Sequence, residues 1–125
     1  MPPLVLVAES HSDVREMIAT VLAIRGLRVA QASTSANALS LSLGEPPDLI
    51  LMEHTLPDGG AVELLRQLRS SERTRTIKAA VMTRDPYAQD ELSGAGFALV
   101  LVKPFDPRKA IREICRLVGC CDQWN

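Results

Sequence analysis

The sequence predicts an α/β domain built on a doubly wound, five-stranded parallel sheet with helices on both faces. Three observations carry this expectation. Short, continuous apolar runs recur along the chain, and each ends abruptly in a polar residue. Segments with apolar residues at helical spacing separate them, and Gly or Pro marks most of the boundaries. A continuous apolar run suits a strand covered on both faces, as parallel strands are. Strands that alternate with helices are joined by right-handed crossovers, which lay a helical layer on each side of an open sheet.

The elements follow in order. Leu4 to Ala8 reads as the first strand and runs into the polar stretch Glu9-Ser10-His11-Ser12. From Asp13 to about Arg25, Val14, Met17, Ile18, Val21 and Leu22 recur at helical spacing, with Ser12 or Asp13 as N-cap and Gly26 as the stop. Arg28 to Ala32 is a short second strand, Thr34 to Leu43 a helix, and Gly44-Glu45-Pro46-Pro47 a breaker. Leu49 to Met52 is the third strand, closed by Glu53, and Leu56-Pro57-Asp58-Gly59-Gly60 is a loop by composition. Val62, Leu64, Leu65 and Leu68 mark a third helix to about Ser70, and Lys78 to Met82 a fourth strand ending in Thr83. Pro86 to Ser93 holds a short, weakly periodic helix closed by Gly94 and Gly96. Leu99 to Val102 is the fifth strand, followed by Lys103-Pro104-Phe105. An amphipathic last helix begins near Pro107 and carries Ala110, Ile111, Ile114, Leu117 and Val118.

The 125 residues fit one domain, drawn here as residues 1–119 with a tail at 120–125. Fourteen Lys and Arg against fifteen Asp and Glu give no global pull toward nucleic acid or an anionic membrane, so partner choice rests on local surface. No apolar run approaches the roughly 18 to 20 residues that span a bilayer, and no secretory leader pattern opens the chain; a cytoplasmic protein is the default expectation. Cys115, Cys120 and Cys121 match neither a disulfide framework nor zinc spacing. No strand is followed by a phosphate-binding glycine motif, and no nucleophile-base pair is evident, which argues against a nucleotide binder or enzyme on the same architecture.

In an open sheet of this kind the site lies beyond the carboxyl ends of the strands. The residues there are Glu9, Ser10, Glu53, Thr83 and Lys103. Two carboxylates, two hydroxyls and a lysine can hold a divalent cation and a phosphoryl group: oxygens for the metal, donors for the phosphate.

Those residues, with Ala8-Glu9-Ser10, Pro47-Asp48-Leu49-Ile50-Leu51-Met52-Glu53, Leu56-Pro57-Asp58-Gly59, Thr83 and Lys103-Pro104-Phe105, make the chain resemble the response-regulator receiver family over nearly its whole length. The resemblance implies the flavodoxin-like, CheY-like fold with strand order 2-1-3-4-5. It also implies roles. An aspartate at the end of the third strand takes the phosphoryl group, an acidic pair at the first strand end holds magnesium, and a Ser or Thr and a Lys follow the fourth and fifth strands. Thr83 and Lys103 match as they stand. The metal set becomes Glu9, Glu53 and the backbone carbonyl of Thr55, with Ser10 standing where a carboxylate is expected. A neutral ligand there weakens magnesium, which leans on carboxylates in near-octahedral geometry.

Glu53 at the acceptor position carries its charge one methylene further out. A displacement of about 1 Å can cost about 100-fold in rate, and Glu53 could instead imitate a phosphorylated aspartate facing Thr83 and Lys103. The segment from Thr83 to Lys103 is slightly shorter than the family pattern, and Val100 replaces the switch aromatic of the fifth strand. These departures predict a phosphorylation-independent receiver, a pseudo-receiver, that is not an enzyme and works by protein-protein contact. The rival reading is a working phosphoacceptor using Glu53 or Asp58.

His11 and His54 flank the pocket and could take a phosphoryl group or bind a metal, but with no ordered ligand set they read as polar loop residues. Asp58 reads as the acceptor of an Asx-type bond to nearby backbone. Arg108, Arg112 and Arg116, with Lys109 beside them, form a basic stripe that is either a solvated face or a docking surface. The expected partner is a histidine kinase or a downstream signalling protein that meets Val100 and this stripe. Nucleic acid and membrane are not expected, and a homodimer is open.

Overall fold

The computed structural model describes residues 1–119. The first apolar run forms β1 (Leu4–Ala8), buried along its whole length. There follow α1 (Ser12–Ile24), β2 (Arg28–Ala32), α2 (Ser35–Gly44) and β3 (Leu49–Glu53). A miniature hairpin, β4 (Thr55–Leu56) and β5 (Gly59–Gly60), leads into α3 (Ala61–Arg69). The chain then forms β6 (Lys78–Thr83), a 3-10 turn (Pro86–Ala88) running into α4 (Gln89–Ala95), β7 (Leu99–Val102) and α5 (Pro107–Val118).

The main sheet has the order β2-β1-β3-β6-β7, and every neighbouring pair is parallel. With the hairpin set aside, this is the expected 2-1-3-4-5. Successive strand residues point to opposite faces, and the core divides accordingly. Leu6, Ile50, Met52, Ala79 and Val81 join residues of α2, α3 and α4 on one face. Val5, Val7, Leu49, Leu51, Ala80 and Met82 join Ile18 and Leu22 of α1 and Ile111 and Ile114 of α5 on the other. Cys115 belongs to this second core and is fully buried, so its thiol behaves as a small apolar group. Among the described residues no helix is long and apolar enough to cross a membrane.

Several boundaries differ from expectation for local reasons. Helix α1 is preceded by His11 as N-cap, with no side-chain capping bond. Ser12 Oγ turns to Asp13 Oδ1 at 3.4 Å, and the His11 ring turns inward to the strand-end carboxylates. Gly94 lies inside α4; Gly96 alone closes it, in the left-handed region at φ +112°. The hairpin falls where composition indicated only a loop, because two-residue strands are too short to show a pattern. It forms because Leu56 is buried and Gly59 adopts φ +156°.

Asp58, at the tip of that hairpin, reaches beyond the local bond expected of it. Its Oδ1 accepts from the Ser35 N–H at 2.7 Å and its Oδ2 from the Ala36 N–H at 2.9 Å, so it caps α2 from more than twenty residues away. Thr34 Oγ1 accepts from the Asn37 N–H at 3.1 Å and completes the cap. The N–H groups of Ala36 and Ser35 hold the Asp58 carboxyl below the ordinary carboxylate range.

The expected tail at 120–125, with Cys120, Cys121 and Trp124, lies outside the described residues.

Candidate functional site

Parallel pairing of β1, β3, β6 and β7 brings their carboxyl ends to one edge of the sheet, and so gathers all five strand-end residues singled out in the sequence. A cleft of about 440 Å³ opens there, lined by His11, Glu53, His54, Thr55, Thr83 and Lys103 among others. Glu9 lies beneath it, fully buried.

A buried carboxylate needs partners, and Glu9 has several. Lys103 Nζ donates to Oε1 at 3.0 Å, and the His11 N–H donates to Oε2 at 3.1 Å. The Nδ1 atom of the His11 ring also lies 3.0 Å from Oε2. Burial alone pushes the carboxyl up, but the His11 ring, the neighbouring Glu53, the His11 N–H and Lys103 together outweigh it and hold the group at about 2. Arg15 Nη1 donates to the Glu9 carbonyl at 3.0 Å and anchors the turn out of β1.

Glu53 is the last residue of β3 and only 9% exposed. Its Oε1 accepts from Ser10 twice, from Oγ–H at 2.8 Å and from N–H at 3.3 Å. Its Oε2 is 3.5 Å from His11 Nδ1. On β6, Thr83 Oγ1 is hydrogen-bonded to His54 Nδ1 at 2.8 Å and accepts from the Asp85 N–H at 3.0 Å. Lys103 follows β7, its N–H bonded to the Thr83 carbonyl at 2.7 Å and its peptide bond to Pro104 in the cis form. Lys103 therefore reaches across to β1, Ser10 to β3, and Thr83 to the residue after β3.

The two histidines, which the sequence placed beside the pocket but read as loop residues, have their rings turned into it. His11 is not an ordinary polar loop residue, because its ring lies between Glu9 and Glu53; His54 is not one either, because it holds the Thr83 hydroxyl. Their only signal was position, each within two residues of a strand-end carboxylate. Asp58, the alternative acceptor, has both carboxylate oxygens committed to α2.

The magnesium implied by the resemblance fits these residues poorly. Magnesium takes hard oxygen ligands in near-ideal octahedral geometry. Here Ser10 supplies a hydroxyl whose proton is given to Glu53, and Glu9 Oε1 is bound to an ammonium group. The ground between the two carboxylates is faced by an imidazole nitrogen. Thr55 borders the cleft and is exposed.

On the surface, Arg108, Arg112 and Arg116 of α5 are all exposed, as expected of the stripe. Arg116 Nη1 pairs with Glu113 Oε1 of the same helix at 2.8 Å. Val100 is half-buried and rests against the core on the α3 and α4 side.

Known proteins agree with this architecture. The family model for the response regulator receiver domain matches residues 5–115. The phosphate regulon transcriptional regulatory protein PhoB of Escherichia coli (strain K12) is 31% identical over 113 residues, which cover 88% of this chain and 49% of that protein. The chain thus spans about half the length of PhoB. An uncharacterised 14.6 kDa protein of Leptolyngbya boryana is also 31% identical, over 88% of this chain and 86% of its own length. Two solved structures share the fold. The Francisella response regulator 1452 receiver domain has a TM-score of 0.86 at 23% identity, covering 94% of this chain and 97% of that one. The receiver domain of the sensor histidine kinase PA1611 of Pseudomonas aeruginosa PAO1, with magnesium in its active-site cleft, has a TM-score of 0.84 at 23% identity, covering 95% and 99%. The chain belongs to the response regulator receiver domain family, the α/β module of two-component signalling.

Proposed function

We propose that this receiver domain works without phosphorylation, as a non-catalytic module in the cytoplasm that signals by binding a protein partner. One observation carries the reading: the groups that would serve a phosphoryl group are already bonded to one another. Glu53 Oε1, at the acceptor position, takes both the hydroxyl and the N–H of Ser10. Lys103 is held by Glu9, and the Thr83 hydroxyl is held by His54. To accept a phosphoryl group the pocket would have to break several partly buried bonds, each of which costs free energy to leave unmade. The extra methylene of Glu53 adds a displaced nucleophile to that cost.

The surface that supports partner binding runs along β7 and α5. Val100, Val102, Phe105, Lys109 and Glu113 border a shallow groove there, with Arg108 and Arg112 on the exposed side of the same helix. An apolar strip edged by Lys109, Asp106 and Glu113, with Arg108 and Arg112 beyond, suits a protein surface with an apolar centre and charged groups of both signs around it. A histidine kinase or a downstream signalling protein is the class of partner this reading takes, and nucleic acid is not part of it.

The test is a backbone amide NMR titration with magnesium and beryllium fluoride, a phosphoryl mimic. The spectrum around Glu53, Thr83 and Lys103 is expected to stay unchanged. Saturable shifts at those residues that require magnesium would sink the proposal and restore the phosphoryl switch.

A further inference from the structure

We propose that Glu9, His11 and Glu53 form a binding site for a borderline divalent transition-metal ion of the zinc class, in place of the family's magnesium. The inference rests on the same reading of the pocket as an altered one, and it assigns that pocket a ligand.

The donor set is the first argument. One oxygen from each glutamate and Nδ1 of His11 all lie within 4.8 Å of one another. Nδ1 is 3.0 Å from Glu9 Oε2 and 3.5 Å from Glu53 Oε2. Zinc bonds of about 2.0–2.2 Å to nitrogen and oxygen give tetrahedral edges of about 3.3–3.6 Å. The two separations from Nδ1 lie near those edges, and the two carboxylate oxygens, within 4.8 Å of each other, would close on the ion from either side of the ring. Two carboxylates and an imidazole with an open fourth position suit zinc, cobalt or nickel; a ring nitrogen does not suit magnesium.

Charge is the second argument, independent of spacing. Two carboxylates, one wholly buried and the other nearly so, share one ammonium, that of Lys103, and one imidazole, that of His11. With the ring serving as a ligand, a divalent cation balances both carboxylates at once.

The surrounding bonds are the third. The oxygen of each glutamate that the ion would not use is already held: Glu9 Oε1 by Lys103 and Glu53 Oε1 by Ser10. Such outer bonds orient metal ligands and fix which oxygen is presented. On this view Ser10 is not only a lost magnesium ligand; it positions Glu53 Oε2. The cleft supplies an entry path, since the His11 side chain is 56% exposed at its floor.

The test is calorimetric titration of the full chain with zinc chloride, carried out with Cys120→Ser and Cys121→Ser because adjacent thiols bind zinc by themselves. We expect one zinc per chain, persistence of that binding in millimolar magnesium, and at least a tenfold loss of affinity in His11→Ala. Cobalt as a probe should give the intense visible bands of tetrahedral coordination, and these should disappear in His11→Ala while surviving in His54→Ala. Absence of zinc binding, or binding that His11→Ala leaves intact, would overturn the proposal. Either of those results leaves the beryllium fluoride experiment untouched. A magnesium-dependent fluoride response would overturn the phosphate-independent reading whatever zinc does.

Discussion

Ser10 and Glu53 show how two side chains can change the chemistry of a site without disturbing its fold. A serine hydroxyl donates one hydrogen bond, and here it goes to the carboxylate it would otherwise help to serve. Restoring carboxylates of family length at both positions, Ser10→Asp with Glu53→Asp, removes that bond and shortens the reach at position 53. The double variant should accept label from acetyl phosphate with magnesium at position 53, while the parent stays unlabelled and Glu53→Asp alone gains little. Labelling of the parent at a comparable rate would refute the argument. At this scale the sequence was partly legible. Residue types at strand ends pointed to Glu9, Ser10, Glu53, Thr83 and Lys103, because strand topology alone decides that they meet. His11 and His54 were legible as neighbours of the pocket but not as parts of it, because the direction of a loop side chain depends on neighbours distant in sequence. The His11 ring could be placed only once β1 and β3 were known to lie side by side.

Among elements, several short strands and the amphipathic last helix matched their sequence reading closely. β2 and β7 span the residues expected, and α5 begins at Pro107. The hairpin of β4 and β5 did not show, since its stability comes from outside it: a buried Leu56 and an Asp58 bonded to another helix. Asp58 thus serves α2 more than its own turn. Asp58→Ala should lower the melting temperature and reduce hydrogen-exchange protection first at the amides of Ser35 and Ala36, while Asp58→Asn keeps an acceptor and loses less. Equal loss of protection throughout the sheet would argue against a local clamp.

For the whole molecule, the sheet is shared by two cores, so neither can melt alone. Leu22 of α1 is fully buried, on the opposite face of the sheet from Leu68 of α3. Leu22→Ala should destabilise the chain by about 2–5 kcal/mol. In urea, methyl NMR signals from both faces should lose intensity at one shared midpoint. Separate midpoints would show that the faces unfold independently. The expected strand order held because connection rules for parallel strands leave few alternatives. The link from Asp58 to α2 has a further meaning, in time rather than energy. Ribosomes add about 5–20 residues per second, so Asp58 is made roughly one to five seconds after Ser35, 23 residues earlier. Until Asp58 is made, the first turn of α2 lacks that cap. The amino-terminal half therefore waits on the middle of the chain before its second helix is finished, which ties the order of synthesis to the order of assembly.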